Sequence, residues 1–222
     1  MNIVITGSSR GIGKTVAERF LAIGHTVYGI DLLPAAIENE RYHHTVADVR
    51  MPETLPDIPD VAILFVNAGM QNGEDDIKTN LVGAMNAAEK YCASPALKSV
   101  LFNASASAIT GQEFPAYAAS KAGVVGYMKN LAIRLAPRGV TVNAISPGGV
   151  LTESNDPVIK DPALRQKIME VTPLKKWATT DEIADWVIFL TLTNRSMSGQ
   201  NLLIDNGEKD LNSTFVWTAQ GL

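Results

Sequence analysis

Short apolar runs alternate along this chain with longer segments in which apolar residues recur every three to four positions. Short apolar or β-branched runs are typical of buried strands, and the longer spacing is typical of amphipathic helices. The continuously apolar run Val61–Val66 indicates a strand that is covered on both faces. The pattern predicts strands over residues 2–5, 26–30, 42–46, 61–66, 99–103, 141–145 and 201–205.

Helical spacing follows most of these runs. We predict helices over residues 16–23, 76–93, 116–135 and 162–170, and a further one beginning at Thr180. The second of these helices should bury one face of six residues: Ile77, Leu81, Ala84, Met85, Ala88 and Cys92. The segment 50–60 holds three prolines, so it is predicted to be a loop.

Strands therefore alternate with helices from end to end, without a repeat or a low-complexity stretch. This order predicts a single doubly wound (Rossmann-type) α/β domain, with a mostly parallel sheet of about seven strands flanked by helices. We assign residues 1–207 to this dinucleotide-binding and catalytic domain and residues 208–222 to a C-terminal tail.

Composition removes several classes of function. The 222 residues are 46% apolar and 19% charged with a net charge of −4, a balance that does not favour binding to nucleic acid or to an anionic membrane. A single cysteine cannot form an internal disulfide, and no Cys/His cluster predicts a metal. Because the first strand begins at Asn2, we expect no signal peptide and a cytoplasmic location.

A glycine-rich turn links the first strand to the first helix. Its spacing, from Gly7 through Gly11 to Gly13, is Gly-x-x-x-Gly-x-Gly. A strand, a glycine turn and a helix in this order expose backbone N–H groups that can hold a pyrophosphate, although such turns are also plain structural connections. The candidate phosphate-binding residues are Gly7, Ser9, Arg10, Gly11, Ile12 and Gly13.

Acidic residues end the next two predicted strands. Asp31, followed by Leu32, is placed to accept hydrogen bonds from an adenosine ribose and to repel a 2′-phosphate, which predicts NAD. Arg10 is a basic residue of the kind that meets a 2′-phosphate, so NADP remains the alternative. Asp48 is a candidate acceptor for the adenine amino group, with Val49 against the ring.

Three side chains carry candidate chemistry near the strand ends. Tyr117 and Lys121 lie four residues apart on a predicted helix and therefore share a face. An ammonium near a phenol favours the phenolate and lowers the phenol pKa, which suits proton exchange. A hydroxyl at Ser105 could hydrogen-bond a substrate oxygen, and the partner in hydride transfer must be a cofactor.

At this point the chain resembles the short-chain dehydrogenase/reductase family over residues 2–207. The resemblance lies in the glycine turn, Asn67-Ala68-Gly69, Ser105, Tyr117-Ala118-Ala119-Ser120-Lys121 and Asn143-Ala144-Ile145-Ser146-Pro147-Gly148. It implies that Tyr117 is the general acid/base, that Ser105 stabilises the substrate oxygen, and that Lys121 binds the nicotinamide ribose. Ser105 is preferred to Ser107 because it precedes Gly111 by six residues, as the family's serine usually does.

The same resemblance implies further roles and partners. Asn80 corresponds to an asparagine that holds a water in a proton relay ending at the lysine. The cofactor would also contact Asn67, Ala68, Gly69, Pro147, Gly148, Val150 and Thr152. The implied partners are a small-molecule alcohol or ketone and further copies of the chain in a homodimer or homotetramer. The implied reaction moves a hydride between a nicotinamide cofactor and a secondary alcohol or ketone.

Three other functions stay open at this level. An NADPH-dependent ketone or 3-oxoacyl reductase shares the chemistry. A non-catalytic dinucleotide-binding protein or a methyltransferase of similar topology would explain the glycine turn but not the Tyr117–Lys121 pair. The predicted substrate pocket is mostly apolar and comprises Met70, Ile109, Phe114, Val150, Leu151 and residues 153–177. Phe215 and Trp217 in the tail are expected to cover that pocket or a neighbouring subunit.

Overall fold

The computed structural model describes residues 1–209 and residue 211, and its seven strands form one parallel sheet. The strands are β1 Asn2–Thr6, β2 Thr26–Asp31, β3 Tyr42–Val46, β4 Val61–Val66, β5 Ser99–Asn103, β6 Thr141–Pro147 and β7 Asn201–Ile204. Their order across the sheet is β3-β2-β1-β4-β5-β6-β7, and every neighbouring pair is parallel. The predicted doubly wound α/β fold is confirmed.

Helices connect the strands. They are α1 Gly11–Ala22, α2 Gly83–Tyr91, α3 Ser107–Thr110, α4 Pro115–Leu135, α5 Asp156–Ile159, α6 Pro162–Val171 and α7 Thr180–Ile188. α7 begins with a capping box, in which the Thr179 hydroxyl accepts from the Glu182 N–H and the Glu182 carboxylate accepts from the Thr179 N–H. The first backbone N–H groups of a helix have no partner within the helix, and these reciprocal bonds supply partners at the start of α7. They explain why the helix begins there.

The core consists of two apolar layers, one on each face of the sheet. Side chains alternate along a strand, so in β4 Leu64 joins the layer with Met128 and Leu131 of α4, whereas Phe65 joins the opposite layer. That opposite layer holds Phe20 of α1. Because both faces are covered, all six residues of β4 are buried, as the apolar run predicts.

The predicted helix over residues 76–93 is only partly right. The segment Ile77–Val82 is π-helical, and α2 begins at Gly83. A π-helical turn adds a residue to the hydrogen-bonded loop and so rotates the following side chains. Ile77 and Met85 are exposed, contrary to the prediction, while Asn80 within the π-helical segment is buried.

Two of the connections contain short helical turns. Pro52–Thr54, within the segment predicted to be a loop, is a 3₁₀ turn. Proline is tolerated at the start of such a turn because a backbone N–H at that position would have no partner within the turn. The connection after β5 contains α3, which ends at Gly111 with φ of 69°. A left-handed residue at this position is the usual way to end a helix.

The sheet reverses its direction of growth between β1 and β4. From β1 the chain adds β2 and β3 on one side, and it then returns to add β4 to β7 on the other. In open parallel sheets a ligand crevice forms at the carboxyl ends of the strands that flank such a switch point. Thr6 and Asn67 lie at these two ends.

Candidate active site

The glycine turn at the end of β1 has the geometry of an anion-binding site. Gly7 and Gly11 have φ of 70° and 51°, in the left-handed region that favours glycine. A Cβ on Gly13 would overlap the Gly7 carbonyl oxygen, so this close approach requires glycine. The N-terminus of α1 has no side-chain cap and no acidic residue in its first turn. Its first backbone N–H groups are therefore available to a phosphate.

The close approach at Gly13 gives a direct stability test. We expect Gly13→Ala to lower the free energy of unfolding by about 1–3 kcal/mol, because the added methyl group overpacks the turn. Gly126→Ala is the matched control: nothing lies within 4 Å of its added Cβ, and α4 gains about 0.5–1 kcal/mol from the better helix former. Urea unfolding of both variants checks the prediction, and equal shifts of the same sign would contradict it.

Asn67 fastens the end of β4 to the glycine turn. Its Nδ2 donates to the carbonyl oxygens of Thr6 at 3.1 Å and Gly7 at 2.9 Å. The Thr6 hydroxyl accepts from the backbone N–H groups of Asn67 and Ala68, both at 3.0 Å. Asn103 Nδ2, at the end of β5, donates to Asn67 Oδ1 at 2.8 Å. The carboxyl ends of three neighbouring strands are thus held together at the crevice.

The Asp31 carboxylate lies beside the glycine turn. Its Oδ2 accepts from the Ser9 N–H and its Oδ1 from the Leu33 N–H, each at 2.9 Å. These bonds fix the carboxylate at the end of β2, and a carboxylate retains further lone pairs for other donors. Leu32 and Arg10 are both exposed.

The Asp48 carboxylate is not free, because it already accepts hydrogen bonds from Arg50. The Arg50 Nε donates to both Asp48 oxygens at 3.0 and 2.9 Å, and Nη1 donates to Asp75 at 2.7 Å. The hydrogen bonds from Arg50 hold the pKa of Asp48 below its usual range. Val49 is buried against Gly83. Sequence reasoning missed Arg50, since only the fold brings Asp48 and Asp75 to the same guanidinium.

The three candidate catalytic side chains meet at the carboxyl ends of β5 and β6. Ser105 follows β5, and Tyr117 and Lys121 project from the first turns of α4. The Lys121 Nζ donates to the Asn103 carbonyl oxygen at 2.8 Å and lies 5.8 Å from the centre of the Tyr117 ring. The neighbouring Ser105 side chain lowers the pKa of the Tyr117 phenol.

Burial dominates the pKa values of this group. It lowers the pKa of the Lys121 ammonium to about 8, because desolvation disfavours the charged form. Burial also raises the pKa of Tyr117, and the neighbouring Ser105 side chain partly offsets this rise. The sequence predicts that Lys121 lowers the Tyr117 pKa; in this structure desolvation raises it, and the charges of Glu113 and Asp76 act in the same direction.

Asn80 and Lys121 converge on Gly69. A Cβ on Gly69 would lie 3.0 Å from Asn80 Oδ1 and 3.3 Å from Lys121 Nζ. The Asn80 side chain accepts from the Met70 N–H at 2.8 Å, and its Nδ2 donates to the Met70 carbonyl and to Ser120 Oγ. The π-helical turn therefore directs a buried asparagine to the turn that begins at Asn67.

The segment after β6 closes the other side of the crevice. Val150 forms a parallel bridge with Ala178, and the Gly148 N–H donates to the Ile204 carbonyl at 3.0 Å. Thr152 reaches the glycine turn: its Cγ2 would lie 3.4 Å from a Cβ on Gly11. Pro147, the last residue of β6, leads into this segment.

This chain is similar to known proteins over most of its length. A family model described as enoyl-(acyl carrier protein) reductase matches residues 64–209, more than half of the chain. Acetoacetyl-CoA reductase of Paracoccus denitrificans is 31% identical over 215 residues, covering 84% of this chain and 88% of the relative. The chain belongs to the short-chain dehydrogenase/reductase family.

Two further similarities agree. A 3-oxoacyl-(acyl carrier protein) reductase of Buchnera aphidicola subsp. Acyrthosiphon pisum is 27% identical, covering 91% of this chain and 95% of the relative. A solved short-chain dehydrogenase/reductase oxidoreductase of Burkholderia thailandensis superposes with a TM-score of 0.85 at 27% identity, covering 95% of this chain and 93% of the other. The protein is therefore an oxidoreductase of this family, which binds a nicotinamide cofactor and acts on the alcohol or keto group of a small molecule.

Three other features of the described residues concern metal binding, membranes and the single cysteine. Within residues 1–209 and 211, no three His, Cys, Asp or Glu side chains are grouped so that they could hold a metal ion. No helix in the same residues is long and apolar enough to span a membrane. Cys92 is buried, and desolvation raises the pKa of its thiol, as expected of a structural cysteine. Phe215 and Trp217 lie outside the described residues.

The substrate side of the site is more polar than the sequence predicts. Glu113, in the turn before α4, accepts a hydrogen bond from the buried Ser107 hydroxyl at 2.7 Å. Ser107 in turn accepts from the Ser105 hydroxyl at 3.2 Å. Sequence reasoning missed Glu113 because no periodic pattern crosses this turn, and its only signal is a carboxylate close before the Tyr-x-x-x-Lys motif.

Proposed function

We propose that the protein is an NAD(H)-preferring dehydrogenase/reductase that interconverts a secondary alcohol and a ketone. The observation that carries this proposal is the convergence of Ser105, Tyr117 and Lys121 at the crevice whose opposite side ends in the Asp31 carboxylate. The open N-terminus of α1 and the close approach at Gly13 fit a dinucleotide pyrophosphate. When bound, a nicotinamide cofactor supplies the hydride acceptor or donor that no side chain can provide.

Tyr117 is the proposed general acid/base. Its Oη takes the hydroxyl proton of an alcohol, or returns a proton to the oxygen of a ketone, as charge develops there. The Ser105 hydroxyl, which donates to Ser107 in this structure, turns to donate to the same substrate oxygen when the substrate binds. A buried site strengthens both interactions because little water competes for the developing charge.

Lys121 is proposed to bind the nicotinamide ribose and to favour the Tyr117 phenolate. Its pKa of about 8 leaves the ammonium mostly protonated at neutral pH, so it can act as a positive charge near the phenol. Asn80, beside Lys121 at Gly69, is proposed to hold a water in the relay that returns the proton to solvent. Asp76 is buried and contributes a negative charge that favours the protonated lysine.

The remaining cofactor contacts are proposed from their placement around the crevice. The pyrophosphate end is assigned to Gly7, Ser9, Arg10, Gly11, Ile12 and Gly13; the adenosine end to Asp31, Leu32, Asp48 and Val49; the nicotinamide end to Asn67, Ala68, Gly69, Pro147, Gly148, Val150 and Thr152. At Asp48, an adenine amino group would have to share the carboxylate with Arg50.

Asp31 is the proposed determinant of NAD over NADP. A carboxylate at this strand end accepts from ribose hydroxyls and repels a 2′-phosphate. We expect Asp31→Ala to move the ratio of kcat/KM for NAD to that for NADP at least about ten-fold toward NADP, since a like-charge contact worth 1.4 kcal/mol or more is removed. Steady-state kinetics with both cofactors measure the ratio, with Glu38→Ala as an exposed control on the same side. An unchanged ratio would contradict the assignment.

A second candidate is an NADPH-dependent 3-oxoacyl reductase. The relatives named above are an acetoacetyl-CoA reductase and a 3-oxoacyl-(acyl carrier protein) reductase, and Arg10 is exposed beside the glycine turn. A screen of simple alcohols and ketones alongside acetoacetyl-CoA, each with NAD(H) and NADP(H), separates the two functions. If the enzyme turns over acetoacetyl-CoA, and does so with NADPH but not with NADH, the second candidate is favoured over the first.

We also propose a cytoplasmic homodimer or homotetramer. Several exposed apolar side chains lie on the 77–82 segment, α2 and α4, and another copy of the chain would cover them. They are Ile77, Val82, Met85 and Ile133.

A further inference from the structure

Glu113 is held in an unusual backbone conformation beside the proposed catalytic serine. Its φ is 73°, in the left-handed region that glutamate rarely adopts. Such conformations persist where the surroundings hold them, and they occur often at functional sites. The residue lies in the short turn between α3 and α4, after Gly111.

One carboxylate oxygen of Glu113 is anchored to the buried end of the site. Oε2 accepts from the Ser107 hydroxyl at 2.7 Å. Because an ionised carboxylate only accepts, the Ser107 proton points to Glu113, and Ser107 is left to accept from Ser105 at 3.2 Å. The Ser107 N–H also donates to Ser105 Oγ at 3.1 Å. Glu113 is thus two hydrogen bonds from the hydroxyl proposed to hold the substrate oxygen.

The other carboxylate oxygen is available to a ligand. Within residues 1–209 and 211, Oε1 has no hydrogen-bond partner and no lysine or arginine forms an ion pair with Glu113. The Glu113 side chain is exposed, and the next residue along the chain is Phe114 of the predicted substrate pocket. The Glu113 charge also acts on the reacting group, since it is one of the causes that raise the pKa of Tyr117.

We propose that Glu113 is a specificity-determining residue that selects alcohols and ketones with a hydrogen-bond donor, a hydroxyl or an ammonium group, next to the reacting carbon. The inference rests on the proposed function, because Ser105 and Tyr117 define where the reacting oxygen lies. A charge-assisted hydrogen bond to Oε1 favours such substrates, and the same charge disfavours substrates with a carboxylate at that position.

Four small alcohols that share one carbinol test this inference. Isopropanol, propylene glycol, isopropanolamine and lactate place a methyl, a hydroxymethyl, an ammonium-bearing and a carboxylate group next to it. We expect the wild-type enzyme to show a higher kcat/KM for propylene glycol and isopropanolamine than for the other two. In Glu113→Gln and Glu113→Ala this preference over isopropanol falls by about ten-fold or more, the loss typical of a hydrogen bond to a charged group.

Two further variants keep the test decisive. Glu113→Asn adopts the left-handed conformation readily, and it serves if the other substitutions disturb the turn. Glu53→Gln removes an exposed glutamate from the 3₁₀ turn Pro52–Thr54, and it should leave the preference unchanged. Retained NAD binding by each Glu113 variant verifies that the fold is intact.

Several outcomes would overturn the inference. An unchanged preference in the Glu113 variants would do so, as would an equal loss on all four alcohols, which would mean that Glu113 only positions Ser107. Failure of the wild-type enzyme to turn over either donor-bearing alcohol also counts against it. Turnover that persists in Tyr117→Phe would instead overturn the proposed function, so the two failures are distinguishable.

Discussion

Replacing Tyr117 with phenylalanine is expected to lower kcat/KM by about three to four orders of magnitude while NAD still binds. Phenylalanine keeps the ring that packs at the start of α4 but removes the only oxygen proposed to exchange a proton with the substrate. Removal of a positioned general acid/base typically costs between about a hundred-fold and ten-thousand-fold. Ser105 would still bind the substrate oxygen, so KM should change less than kcat.

Tyr127→Phe is the matched control for this prediction. Tyr127 lies on the same helix, and its hydroxyl donates to the Glu89 carboxylate at 2.7 Å, on the side of α4 that packs toward α2. Its loss should lower stability by about 1 kcal/mol and leave kcat/KM unchanged. Turnover followed by nicotinamide absorbance, with NAD binding measured by fluorescence, checks both variants. Near wild-type turnover by Tyr117→Phe would refute the assignment of the base.

Lys121→Met should have the second largest effect, on activity and on the pH dependence of stability. Loss of the ammonium removes the charge that favours the Tyr117 phenolate, and we expect kcat/KM to fall by about a hundred-fold or more. The same substitution removes a buried ammonium, whose pKa is lowered by desolvation from 10.5 to about 8. Measurements of stability and of activity therefore test the role of the Lys121 ammonium independently.

The sign of the stability effect follows from proton binding. Between about pH 8 and pH 10.5 the unfolded chain holds a proton at Lys121 that the folded chain has lost, so this lysine makes the wild-type free energy of unfolding rise with pH. Below pH 8 the full desolvation cost is present. The gain in free energy of unfolding of Lys121→Met over wild type should therefore be larger at pH 7 than at pH 10, by about 2–3 kcal/mol at 1.36 kcal/mol per pKa unit.

Urea unfolding of both proteins at pH 7 and pH 10 measures this difference, in which the other titrating groups cancel. Lys129→Met, which replaces an exposed lysine of the same helix, is the control and should show no pH-dependent difference from wild type. A Lys121→Met difference that does not change with pH would contradict the account of a desolvated ammonium.

The elements of the fold could largely be predicted from the sequence because their causes are local. Val61–Val66 is continuously apolar since both faces of β4 are covered, and Asp31 ends β2 where the apolar run stops. The order of the strands could not be predicted in this way. The order depends on contacts between segments that are distant in the sequence. The apolar pattern within one strand does not indicate which strands lie beside it.

The remaining differences arise from contacts between distant segments. The π-helical turn at Ile77–Val82 places Asn80 against Met70 and Ser120, a packing solution that an apolar period cannot reveal. Arg50 reaches Asp75 only because β3 and β4 bring their following loops together. The left-handed conformation of Glu113 depends on the turn between two helices, where no periodicity exists.

Transfer of deuterium tests the central claim most directly. An alcohol that the enzyme turns over, labelled with deuterium at its carbinol carbon, is incubated with NAD, and the recovered cofactor is analysed by mass spectrometry. If the nicotinamide cofactor takes the hydride and Tyr117 takes the hydroxyl proton, the reduced cofactor carries deuterium with the wild-type enzyme and none is detected with Tyr117→Phe. Oxidised substrate without deuterium in the cofactor, or equal labelling by both proteins, would contradict the account.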